Sequence, residues 1–145
     1  MTSTVAPLGT FVGARSGDKG GDANVGLWVV DPAEPAAVAL AHGRAAVPAV
    51  DAGQVALADA RYAWLASVVT VEGVRALLPE AAGLRIDVHP LPNLRAVNVV
   101  VHGLLGRGVA ETSRVDPQAK GLGEHLRARL VEIPEALLGP DGGPA

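Results

Sequence analysis

With 145 residues, a net charge of −3 and 49% hydrophobic content, the chain fits one globular domain with a core of its own. Only 3% of residues are aromatic and no basic cluster occurs, which argues against a nucleic-acid surface built from phosphate-neutralising charge and stacking rings. Without cysteine there is no disulfide, thiolate nucleophile or cysteine-ligated metal centre, and without a signal-type start or a bilayer-length apolar run a cytoplasmic protein off the membrane is expected.

In chain order, residues 9–15 read as a short strand and Ser16–Asn24 as a long polar loop. Val25–Val30 is an unbroken apolar strand stopped by Asp31-Pro32. Asp31 and Pro32 suit the start of a short helix reaching about His42. Between Ala52 and Val69, residues Val55, Ala58, Tyr62, Leu65 and Val69 form one helical stripe. Thr70 is placed to cap a second short helix with Val71, Val74, Leu77 and Leu78 as its apolar face. Leu84, Ile86 and Val88 alternate with polar residues as in a half-buried strand, limited by Pro90 and Pro92. Val97–Val101 reads as a buried strand, followed by the glycine turn Gly103–Gly108. Asp116-Pro117 opens a last helix with Ala119, Leu122, Leu126, Leu130 and Ile133 as its stripe, ended by Pro134. Residues 139–145 carry no core side chain and are expected to fray.

This order predicts an α+β domain over residues 1–138, a small mixed or antiparallel sheet with helices on one face. Val25–Val30 and Val97–Val101 take the central positions, and their apolar runs ask for cover on both faces, or on one face plus a subunit contact. An open sheet face or edge in turn predicts a homo-oligomer or a partner chain.

The densest polar segment is Arg15–Asn24. Its glycines allow backbone N–H groups to converge on an anion, Lys19 supplies a point charge, and Asn24 offers donor and acceptor. Arg15 adds a bidentate donor for carboxylate or phosphate. Asp18 and Asp22 either orient Lys19 or act as a base. The same residues also suit a plain solvated turn, and the Walker pattern is absent. Asn98, inside an apolar strand, requires hydrogen-bond partners, from a neighbouring loop or from a ligand. The histidines, at 42, 89, 102 and 125, lack metal-pair spacing, so neither metal nor cofactor is expected; His102, beside the glycine turn, is the single histidine candidate for acid–base work.

Four segments taken together, Arg15–Leu27, Leu91–Asn98, Gly103–Val109 and Arg114–Gly123, resemble the small C-terminal domain of the acyclic terpene utilisation A (AtuA) family. The resemblance implies a ferredoxin-like fold and a setting in acyl-CoA or acyclic-terpenoid breakdown, without an assigned catalytic mechanism. The larger N-terminal domain of full-length members has no counterpart in this sequence, and Pro35–Ala58 looks like an insertion. Both lysines, Lys19 and Lys120, lie in the matched segments of an arginine-biased chain. The expected ligand-binding set is therefore Arg15, Ser16, Gly20, Gly21, Asn24, Asn93, Asn98 and Lys120, with Asp18, Lys19 and Asp22 as catalytic candidates. The resemblance implies an accessory or split-off subunit that contributes an anion-binding loop to an acyl-CoA-linked enzyme, partnered by itself or by a protein carrying the N-terminal domain. Its alternatives are a self-contained hydratase- or lyase-like enzyme on a small acyl-CoA or carboxylic acid, and a small-ligand-binding regulatory module.

Overall fold

The computed structural model describes residues 2–30, 52–106 and 118–139. The expected helix after Asp31, most of the Pro35–Ala58 segment, the Asp116-Pro117 helix start and most of the tail lie outside them. Six strands and three helices are described: β1 (Ser3–Pro7), β2 (Val12–Lys19), β3 (Asp22–Val29), α1 (Ala52–Val68), α2 (Val71–Leu77), β4 (Ile86–Leu91), β5 (Ala96–Val101), α3 (Leu122–Arg127) and β6 (Leu130–Pro134). The main sheet is antiparallel throughout, in the order β2-β3-β5-β4, and β1 pairs with β6 in a separate two-stranded sheet. The fold is α+β, as the sequence predicts, with β3 and β5 in the centre.

The expected strand over residues 9–15 starts only at Val12, Leu8–Thr10 forming a 3-10 turn, and β1 has no counterpart among the expected elements; two further boundaries differ for a physical reason. The polar stretch after Arg15 is not a nine-residue loop. Both strands run on through it, pairing as far as Lys19 with Asp22, and the chain reverses over Gly20-Gly21 with Gly20 at φ +64°. A two-residue reversal of this kind takes glycine because its φ is positive. Towards the C-terminus, helix stops at Arg127, and Leu130–Pro134 forms β6 instead of two more turns. There Ile133 is buried while Leu130 stays exposed, an alternation that serves pairing with β1 as well as it would serve a helix.

Strand alternation divides the main sheet into two unlike faces. On one, Val12, Ala23, Val25, Leu27, Val29, Val97, Val99, Val101 and Ile86 are buried, packed with Leu65, Val69, Val74, Leu78, Leu122 and Leu126 of the helical layer. Thr70 caps α2 as expected, its Oγ1 accepting from the Gly73 N–H at 3.0 Å. On the other face no helix packs among the described residues. Register puts Lys19, Asp22 and His102 in its first row, Gly17, Asn24, Val100 and Asp87 in the second, Arg15, Gly26, Asn98 and His89 in the third, and Gly13, Trp28, Ala96 and Leu91 in the fourth. The face thus grades from charged to apolar along the strands. The Trp28 ring occupies the space above Gly13 that a side chain would fill.

One side chain defies the apolar reading of the α1 stripe. Arg61 is 1% exposed, its Nε donating to the Leu137 carbonyl at 2.8 Å and its guanidinium 4.7 Å from the Phe11 ring centre. Burial pushes its pKa below the ordinary arginine value. Val55, expected in the stripe, is 40% exposed.

Candidate functional site

The second and third rows of the open face contain a depression of about 330 Å³ lined by Arg15, Ser16, Gly17, Asn24, Gly26, Asn98 and Lys120. Its floor exists because two residues lack side chains. A Cβ on Gly26 would meet nothing nearer than a backbone oxygen at 3.9 Å, and one on Gly17 only the Lys120 Nζ at 3.6 Å. Alanine at either position would raise the floor.

Lys120 comes from the opposite layer. Ser16, facing the helices, donates from Oγ to the Lys120 carbonyl at 3.3 Å and accepts from the Gly123 N–H at 2.8 Å. Ala119 is fully buried and holds φ +53°, a left-handed conformation that costs an alanine on the order of 1 kcal/mol. So fixed, the neighbouring Lys120 side chain passes the edge strand β2 and brings its ammonium to Gly17. Ser16 therefore works as an anchor on one side of the strand while its neighbours line the depression on the other.

Arg15 and Lys120 supply two positive charges. Asn24 and Asn98 supply amides, Asn24 being diagonal to Asn98 across β3 and β5. Among the described residues Asn24 Oδ1, sealed from solvent, has no hydrogen-bond partner, an arrangement that costs on the order of 1–3 kcal/mol. Among the described residues no carboxylate lines the depression. The two aspartates that would repel an anion are elsewhere: Asp18 is turned to the helical side by its pairing with Ala23, and Asp22 is occupied at the sheet's end.

Asp22 accepts the Gly103 N–H at 2.8 Å and faces His102 Nδ1 at 3.3 Å. His102 Nε2 lies 2.7 Å from Asp87 Oδ2, and Arg85 donates to both Asp87 oxygens at 3.2–3.3 Å. Arg85, Asp87, His102 and Asp22 thus tie β4, β5 and β3 together, while the Leu105 N–H donates to the Gly21 carbonyl at 2.9 Å and docks the glycine turn on the hairpin tip. In the structure Asp22 braces that turn. Among the described residues no cluster of histidines and carboxylates is fit to hold a metal.

Of the other sequence candidates, Lys19 and Gly20 are exposed at the hairpin tip and Gly21 lies beside them; none of the three lines the depression. Asn93 sits in the 3-10 turn Pro92–Leu94 between β4 and β5, bordering an apolar hollow of about 340 Å³ with Pro90, Leu91, Pro92 and Leu94. Sequence reasoning missed Asp87 and Gly26 as members of this face. Alternation of Ile86 and Val88 with Asp87 is the signal for the first; the second is visible only once β2 and β3 are paired.

The hydrogen bond from His102 holds the Asp87 carboxyl below its ordinary pKa, helped by Arg85 and opposed by desolvation. A carboxylate shifted downward by folding stabilises the fold above its unfolded pKa, and that contribution disappears as pH falls through the folded value. Urea unfolding should therefore show wild type losing more stability than Asp87→Asn between neutral pH and pH below the ordinary aspartate range. Equal losses in the two proteins would remove Asp87 from the acid response.

No helix among the described residues is long and apolar enough to cross a membrane. No curated protein and no solved structure matches the chain. The family model of the AtuA ferredoxin-like domain matches residues 6–132, a span that takes in the hairpin, both central strands and α3; the chain belongs to the AtuA ferredoxin-like domain family.

Proposed function

We propose that the domain is an accessory subunit of a cytoplasmic acyl-CoA-linked enzyme and that its open sheet face holds the anionic head of the ligand, in a pocket completed by a second copy or a partner protein. The observation that carries this reading is the depression itself: two cations and two amides around a glycine floor, with no carboxylate among the described residues that line it. A carboxylate suits that set, because arginine offers it a planar pair of donors and lysine a point charge. The glycine-rich segment contributes through paired strands rather than as a loop, with Gly17 clearing space and Gly20 making the reversal. Calorimetric or NMR titration with acetate and with phosphate tests the site. Arg15→Ala and Lys120→Ala should each weaken binding by roughly 1–3 kcal/mol, the scale of a charge-assisted hydrogen bond. Both are exposed residues, so stability should move by about 0.5 kcal/mol or less. Undiminished anion binding in the double variant would end this reading.

A second reading, a self-contained hydratase- or lyase-like enzyme, draws on His102, held between two carboxylates on the same face and 33% exposed at its side chain. Carboxylate-oriented histidine is the usual arrangement for proton transfer. Turnover of an acyl substrate by the isolated chain, abolished in His102→Gln, would favour it over the accessory role.

A further inference from the structure

We infer that the ligand of the open face is an amphipathic carboxylate, its head in the depression and its aliphatic chain laid over the fourth row towards Leu91 and Leu94. This deepens the anion-site reading above and rests on it. The argument begins from register. The row next to Gly26 and Asn98 is Gly13, Trp28, Ala96 and Leu91, with no charged member. Leu91 is 41% and Leu94 69% exposed, and with Pro90 and Pro92 they border the second hollow. From Gly26 to Leu91 is two strand spacings and one same-face step, about 12 Å by ordinary sheet dimensions.

Charge is confined to one end of that path. Arg15 and Lys120 stand at the depression, and among the described residues that line the far end there are only apolar side chains and the Asn93 amide. A small inorganic anion would leave the far end unused, and a compact dicarboxylate would place its second charge against leucine and proline. What fills the leucine hollow itself is a small molecule rather than a protein side chain, the partner's part being to close the depression. Two exposed leucines with their flanking prolines fall well short of the roughly 1,200 Å² that a stable protein contact buries, whereas the two hollows are each at the scale of a small-ligand pocket.

The experiment is an NMR titration of the intact chain with acetate, butyrate and octanoate, reading affinity together with the Leu91 and Leu94 methyl shifts. Affinity should rise about two- to fourfold per added methylene, the upper figure being that of full burial. The leucine methyls should move with octanoate and not with acetate. Leu91→Ser combined with Leu94→Ser should flatten the series and leave acetate binding unchanged. A flat series in wild type, or an undiminished slope in the double variant, overturns the inference while leaving the anion site standing. Octanoate binding that ignores Arg15→Ala and Lys120→Ala overturns the anion site and this inference with it. Coenzyme A carrying no acyl group, bound as tightly as octanoate and equally well by the leucine variant, overturns it in favour of a phosphate ligand.

Discussion

Arg61→Ala should destabilise the domain by about 2–4 kcal/mol, measured as a shift in the urea midpoint at unchanged slope. The substitution deletes a side chain that is 1% exposed and leaves the Leu137 carbonyl without the Nε donor it now has at 2.8 Å. It also removes a cation from the Phe11 ring, which itself meets Trp64 edge-on at 5.4 Å. Loss of shape, loss of a buried hydrogen bond and loss of a ring contact all act in the same direction. Arg61→Met separates the stem from the charge. It keeps most of the packing volume and discards a cation that, among the described residues, no carboxylate neutralises, so its cost should be well below that of alanine. A methionine variant as unstable as the alanine variant would mean that the guanidinium, and not the volume, holds α1 to the Leu137 segment.

Gly73→Ala should cost about 1–3 kcal/mol, although alanine in a helix is ordinarily worth nearly 1 kcal/mol more than glycine. The reversal of sign comes from the link between α1 and α2. A Cβ on Gly73 would run into the Val68 carbonyl oxygen and would lie 3.2 Å from the Thr70 Oγ1 that caps the helix. Backbone has to move on one side or the cap on the other. Gly83→Ala is the control, since a Cβ there meets nothing within 4 Å, and it should leave the urea midpoint within about 0.5 kcal/mol of wild type. A stabilising Gly73→Ala would mean that the α1–α2 link yields freely.

The parts of this fold legible in the sequence are those where one signal dominates. Val97–Val101 and the Thr70 cap are of this kind, the first an apolar run of strand length, the second a side-chain oxygen three residues from the N–H it accepts. Ser16–Asn24 misleads because composition and alternation disagree there. Polar and glycine residues suggest a loop, yet every second one faces the side away from the helices, where a polar residue displaces no core side chain. Leu130 and Ile133 mislead for another reason: apolar spacing of three fits a helix, and only the partner strand β1, distant in sequence, decides against it. The site follows the same rule. Arg15, Asn24, Asn98 and Lys120 carry their chemistry in their residue types, but the pairing that gathers the first three is long-range, and Lys120 joins them from the other side of a strand. Asp22 is expected to orient Lys19 or act as a base; in the fold it accepts from the Gly103 N–H and faces His102, eighty positions away just past β5.

The path of Lys120 around β2 gives the depression two separate mounts. Its floor and amides belong to the hydrogen-bonded sheet, which hardly deforms. The ammonium hangs from the 118–121 segment, held by Ser16 Oγ and by a strained Ala119. Any movement of that segment relative to β2 would carry the ammonium with it and change its distance from Gly17. On the anion-site reading proposed above, the positive charge at the depression is therefore set by the helical layer as well as by the sheet.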